Sequence, residues 1–392
     1  MDDLYSPETE SRAADAEAVS APAPDYKKIL DQILTREKFF KDGWWKQADR
    51  ANKIYSDPGR GALPDSEQTP YNILYSNTEV LLPSLYSATP KPDVRPRFKG
   101  EDIKPIPQML DRFLTIVADP ASPGSESLNI AMQENVLSSL VPGMGFVRLR
   151  YYPEAPVPIG FEAGHYKGLI WGTARKWAKV PWVAFRHEMT KDDIEAKFNL
   201  KPEDMVKFNL ARGAEEGETK DGAPKDSTVV YEYWDKTSDR VCYLSEDWTD
   251  NFIADEEDHL KLENKFPTPG PLTLTMKPGK LEPIPLYVYY QNQAEELNRV
   301  TVRLNKVLAA IKVRGAYSTF LGEEMTKILN GDDTENALVP AGESIQLAQT
   351  GGFDKNIWLL PIEKLVVVAT QLYTARQQIK QVIYELTGIA DI

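Results

Sequence analysis

Apolar residues recur at helical spacing over much of the chain. After Pro24, Tyr26, Ile29, Leu30, Ile33, Leu34, Phe39, Phe40, Trp44 and Trp45 form one stripe interrupted at Gly43, which predicts an amphipathic helix or a bent pair. A Pro/Gly-rich stretch over residues 57–70 closes it, and a second helical run over 71–86 carries Ile73, Leu74, Val80, Leu81 and Leu82, with Pro83 near its end. Prolines 90, 92, 96, 105 and 107 predict an extended strap, because each fixes its own backbone and turns the preceding residue away from helix. Helical patterns return over 108–118 and 128–140. The turn Pro142-Gly143-Met144-Gly145 then leads into Phe146-Val147-Arg148-Leu149-Arg150-Tyr151-Tyr152, which alternates as a strand does.

Up to about Pro285 the pattern favours strands. Residues 182–186, 229–234 and 240–244 are rich in β-branched and aromatic side chains. Thr190 and Asp193 stand at capping-box spacing and predict a short helix, and residues 213–227 read as a polar loop. The last hundred residues return to helical spacing. Leu297, Val300, Leu304, Val307, Leu308 and Ile311 predict a long helix over 291–317, roughly 40 Å at about 1.5 Å per residue. Ile362, Leu365, Val366, Ala369, Leu372, Ile379, Val382, Ile383 and Leu386 predict a second one. Between them, residues 318–360 are rich in turn formers, with Asn330-Gly331 and Gly351-Gly352 as breaks, short strands expected at 338–340 and 344–348, and a helical turn at 323–329. The class is α+β.

Charge and cysteine content narrow the function. With 46 Lys and Arg against 59 Asp and Glu, the net charge of −13 opposes tight, non-specific DNA binding. The single cysteine excludes an intrachain disulfide framework and a multi-cysteine metal site. Residues 1–25 lack a basic start and an apolar run, and their Asp, Glu, Ala, Ser and Pro read as a flexible acidic tail. The apolar stretch 365–369 is far shorter than the roughly 20 residues that span a bilayer, so no membrane segment is expected.

Catalytic constellations are scarce. His165, His187 and His259 do not stand at the spacing of a zinc-binding helix pair, and no Gly-x-Ser-x-Gly elbow occurs, so each histidine reads as structural or surface. Gly143-Met144-Gly145 follows a helix and enters a strand, the reverse of a phosphate loop, and reads as a tight turn. The run Asp255-Glu256-Glu257-Asp258 lacks the pattern of a calcium loop and reads as a solvated charge run. Trp171, Trp177 and Trp182 read as sheet core in preference to a stacking box, and Cys242 as buried packing. On the first long helix, Arg299, Arg303, Lys306, Lys312 and Arg314 form a basic stripe against Glu295 and Glu296. It reads equally as a solvated helix face or as a DNA-facing surface.

Several phrases along the chain resemble the portal (head-to-tail connector) proteins of short-tailed bacteriophages. Residues 71–77 with 81–86 and Pro90-Lys91-Pro92 resemble the family's early helix and proline strap, and residues 143–148 its turn into the wing sheet. Residues 229–235 resemble its Tyr-Glu-x-Trp-Asp strand, and 295–298 through 311–317 its first stem helix. The closing Ile383-Tyr384-Glu385-Leu386-Thr387-Gly388-Ile389-Ala390-Asp391-Ile392 is the most specific phrase. Family members continue past it through a tunnel loop and crown, which are expected to be absent or removed here.

The resemblance implies a portal-type fold: a mixed helix/sheet wing over 26–290, a first stem helix over 291–317, a small α/β clip over 318–360 and a second stem helix over 361–392. It also implies a dodecameric ring at one capsid vertex of the virion, formed in the host cytoplasm. Double-stranded DNA passes through it without sequence-specific binding. Its partners are terminase, a tail adaptor, and the major capsid and scaffold proteins. The stem residues Arg299, Arg303, Lys306, Lys312 and Arg314 would then face the channel, and Glu323, Glu324, Lys327, Asp332 and Asp333 would meet terminase or adaptor in the clip. No catalytic residue, metal or cofactor is implied. The alternatives are a helical scaffold or adaptor of another kind and, third, a metal-dependent nuclease or hydrolase.

Overall fold

Asp25 opens the first helix by accepting from the backbone N–H of Lys27, and Gly43 closes it, giving α1 (Tyr26–Asp42) and directly after it α2 (Trp44–Ser56). The interruption at Gly43 is therefore a break between two helices. This is a computed structural model, and it describes residues 25–56, 71–96, 105–118, 127–154, 157–200, 227–248, 251–311, 315–317, 357–359 and 362–389. The expected acidic tail (up to residue 24), the closing stretch at 57–70 and most of the expected loop at 213–227 lie outside these residues.

Asn72 caps α3 (Ile73–Leu85) by accepting from Tyr75 N–H at 3.1 Å, and Pro83 sits in its last turn. Then comes α4 (Pro105–Ala118), which begins three residues before the apolar pattern suggested. Pro105 and Pro107 belong to its first turn and not to the strap, because proline lacks only an N–H that the first turn leaves unbonded anyway. Beyond it, α5 (Leu128–Leu140) precedes the turn into β1 (Phe146–Tyr151), which pairs antiparallel with β2 (Ile159–Gly164).

The main sheet is a five-stranded antiparallel meander of β3 (Leu169–Trp171), β4 (Trp182–Thr190), β5 (Ser227–Asp235), β6 (Arg240–Ser245) and β7 (Ala254–Glu257). The helix α6 (Lys191–Phe198) leaves β4 through the Thr190–Asp193 capping box, as the spacing predicts. Opposed residues in an antiparallel ladder share a face. Phe185↔Glu232↔Tyr243 and Val183↔Trp234 therefore line one face, and Arg186↔Tyr231↔Leu244 the other. On the second face lies α1, where Tyr231 donates to Glu37 at 2.5 Å. Over the first face lies the β1–β2 ribbon, with Phe146 stacked on Phe185 at 6.0 Å.

The chain divides into two units: residues 1–45, 89–135 and 145–283 form one, and 46–88, 136–144 and 284–392 the other. The range 26–290 expected as the wing is thus shared between them. The core of the second unit joins Ala51, Ile73, Leu74, Val136, Leu140, Tyr287, Tyr290, Ala294, Leu297 and Ile383. Its two long helices are α7 (Gln291–Ala310) and α8 (Ile362–Thr387). The first is shorter than expected. It ends at Ala310, and residues 315–317 form β8 (Gly315–Tyr317), which pairs antiparallel with β9 (Ile357–Leu359). At 20 residues α7 spans about 30 Å and not roughly 40 Å. No helix among the described residues is long and apolar enough to cross a membrane.

Candidate functional site

Two places gather charged and polar side chains, one in each unit. In the first unit, Glu232 sits within the apolar and aromatic run 229–234 of β5, and its side chain is 1% exposed. Arg148 of β1 ion-pairs with it and also lies 4.1 Å over the Phe185 ring, while Trp234 Nε1–H donates to it at 2.8 Å. His187 Nε2 stands 3.0 Å from its other oxygen, and Arg150 lies 4.0 Å away, itself bound to Glu162 of β2. Burial alone would raise the Glu232 carboxyl, but Arg148 and the bonds from His187 and Arg148 overcome it and hold the group well below the usual carboxylate range.

An ionised carboxylate only accepts, so His187 must present its proton on Nε2. Burial pushes the His187 ring below its ordinary value, against the pull of Glu232 and with the help of Arg148. On the other sheet face a second carboxylate, Glu37, accepts from Tyr231 and ion-pairs with Lys41 at 3.0 Å and Arg186 at 3.5 Å.

A cleft of about 660 Å³ opens beside this network, lined by Arg150, Arg186, His187, Glu188, Asp193 and Lys197 among others. It runs along β4 beyond Phe185, where pairing with β3 has stopped. Lys197 rests against the Tyr243 ring at 4.6 Å, and burial lowers its ammonium from the ordinary value. A neutral His187 has proton-accepting capacity, but among the described residues no Ser, Thr or Cys lines the cleft beside it. Chemically the arrangement is an ion-pair network that fastens β1 to β4 and β5.

The remaining histidines are dispersed: His165 caps a short 3₁₀ turn and His259 stands beside the Trp234 ring. Among the described residues no group of three or more His, Cys, Asp or Glu is placed to hold a metal. Trp171 and Trp182 are buried in sheet packing, and Trp182 stacks on Tyr233 at 5.5 Å. Cys242 is buried, and burial beside Asp255 pushes its thiol up to about 12. The acidic run is exposed over Asp255, Glu256 and Glu257, as a solvated run is, and Asp258 alone of the four is buried. Residues through Glu257 form the edge strand β7, Asp255 is paired with Arg240, and buried Asp258 accepts from the backbone of Leu260 and Lys261. Gly143 is the expected turn glycine, with φ of +97°.

In the second unit, α7 turns Ala294, Leu297, Thr301 and Leu304 inward. Thr301 Oγ1 meets Arg376 Nε of α8 at 3.3 Å, and the Arg376 guanidinium lies 5.1 Å over the Tyr71 ring. Arg299, Arg303 and Lys306 are exposed and share the stripe opposite the buried one, together with Glu295, which lies 3.7 Å from Arg299. Lys312 and Arg314, and the expected clip residues Glu323, Glu324, Lys327, Asp332 and Asp333, lie outside the described residues, as do the expected strands and helical turn of the insert.

Sequence reading missed the Glu232 network. The available signal was a lone carboxylate within Val229-Val230-Tyr231-Glu232-Tyr233-Trp234, since a charge in a buried strand requires a partner. Set beside known proteins, the chain matches no family model and no curated protein.

Proposed function

We propose that this chain is a subunit of a bacteriophage portal, a ring at one capsid vertex that passes double-stranded DNA and docks terminase and a tail adaptor. The observation that carries the reading is the order α7, β8, insert, β9, α8. Two long helices pack on each other and bracket an insert whose ends are tied by a strand pair. A translocation channel must pass phosphates without holding them, because each retained cation contact adds counterion-release affinity that resists sliding. The exposed side of α7 suits this need, since Glu295 and Glu296 stand one turn before Arg299, Arg303 and Lys306 in a chain of net charge −13.

Electron microscopy of negatively stained protein tests the reading directly. Rings with a central hole are expected, and particles of only two or three subunits, with scaffold supplied, would sink it. The second reading is a helical scaffold or adaptor, favoured by Val366, Val367 and Tyr373, which α8 leaves exposed. It predicts a small assembly joined through that helix, so the same micrographs separate the two.

A further inference from the structure

We propose that α4 is one half of a head-to-tail contact between two copies of this chain, and that its apolar stripe docks in the cavity on the outer face of the neighbour's β1–β2 ribbon. The donor is Ile106, Met109, Leu110, Phe113 and Leu114, spaced as one face of a helix. Each is between 43% and 68% exposed, and only Val117 of the helix is buried. Such a stripe amounts to roughly 500 Å² of apolar surface, near the top of what a monomer leaves bare and over half of what one side of a stable interface buries.

The receptor is a cavity of about 410 Å³ in the same unit, and it is a consequence of how β1 is used. Phe146 and Arg148 face the main sheet, so alternation turns Val147 and Leu149 outward, where they line the cavity with Phe161, Met132 and Leu262. Large aromatic and thioether side chains such as Phe113 and Met109 fit walls of this kind. Asp111 and Arg112 flank the stripe of α4 on opposite sides, and Glu263 among the cavity-lining residues offers Arg112 a carboxylate to meet.

A second copy is the occupant because every chain presents both halves, a bare stripe and a bare cavity. Contacts between two different patches are the heterologous kind that propagate from copy to copy. A membrane surface fits less well. Interfacial helices carry a Lys/Arg-rich polar face, whereas α4 has Arg112 offset by Asp111 in a strongly acidic chain. The inference rests on the ring reading only for closure of the assembly; the contact itself stands on the two surfaces.

The test uses two variants of the full chain, Met109→Glu with Phe113→Glu on the donor, and Leu262→Arg at the cavity. Sedimentation velocity reads the mass and circular dichroism checks the fold. Wild type should self-associate, and each variant alone should be folded and weaker in association by roughly 30-fold or more, the scale of an interface hot spot. Mixed one to one, the variants should form a dimer and nothing larger, since each retains one good half. Association of either variant at wild-type strength overturns the inference, and so does a mixture that stays monomeric. A wild type monomeric throughout the micromolar range also overturns it, including one whose stripe binds anionic vesicles or is covered by its own chain. Rings that persist in both variants leave the portal reading standing and remove this contact. Open filaments from wild type, broken by both variants and complemented on mixing, keep the contact and remove the ring.

Discussion

His187 Nε2 lies 3.0 Å from Glu232 Oε2, and Arg148 Nη1 approaches the same nitrogen to 3.5 Å. A protonated His187 would gain charge attraction to Glu232, but burial would strip its charge of water and it would sit against a guanidinium. The fold therefore holds the ring neutral and the carboxylate charged, which is the direction of both shifts.

Removing both members of the buried pair should cost less than the sum of removing each alone. The Arg148 and Glu232 side chains are 6% and 1% exposed, so Arg148→Met or Glu232→Leu alone strands a charge in the interior. Each single change is expected to destabilise by about 3–5 kcal/mol. The double variant should fall short of the sum by about 1–3 kcal/mol in urea denaturation. Additive costs would mean that the two groups do not depend on each other.

Acid should weaken the fold in two stages. His187 is depressed below 6.5, so the unfolded chain takes up its proton first, and stability declines as pH falls from about that value through the folded one. Glu232 is depressed well below 4.5, so its contribution is intact above that value and is lost only in stronger acid. Replacing His187→Gln, which keeps a donor for Glu232, is expected to abolish the first decline and spare the second. An unchanged midpoint-versus-pH curve would assign the first stage to another group.

At Gly143 two costs coincide. Its φ is +97°, and an added Cβ would stand 2.9 Å from the backbone nitrogen of Pro285. Gly279 has a comparable φ of +71° with nothing within 4 Å. Gly279→Ala should cost only the left-handed strain, about 1–2 kcal/mol, whereas Gly143→Ala should cost clearly more. Equal shifts in thermal midpoint would show that the turn relaxes away from Pro285.

Replacing residues 318–356 by a short Gly/Ser linker should leave α7 and α8 paired, because among the described residues their packing rests on Leu297, Ile383 and their neighbours in one core. On the portal reading the variant loses terminase or tail-adaptor docking while its circular dichroism outside the insert is retained. Normal packaging and tail attachment by the variant would remove the insert as the docking element.

Local pattern was enough wherever one neighbourhood of the chain determines the outcome. The 3.6-residue spacing of Ile29, Ile33 and Phe40 yields α1, the Thr190–Asp193 box starts α6, and alternation after Gly145 yields β1, because these features act within one turn or one pleat. The end of α7 was not legible, since the apolar spacing runs on through Ile311 while the chain is drawn into pairing with β9, some forty residues ahead. Pairing also created β3 and β7, three and four residues long, whose only reason to be strands is the neighbour they hydrogen-bond. The Glu232 network belongs to the same class. Arg148, His187 and Glu232 are separated by tens of residues, and only the register Phe185↔Glu232, with β1 laid over it, decides that three charged or polar side chains share one buried face. Composition placed the chain among folded acidic α+β proteins; tertiary packing chose which charges it had to bury, because that depends on partners no local pattern can name.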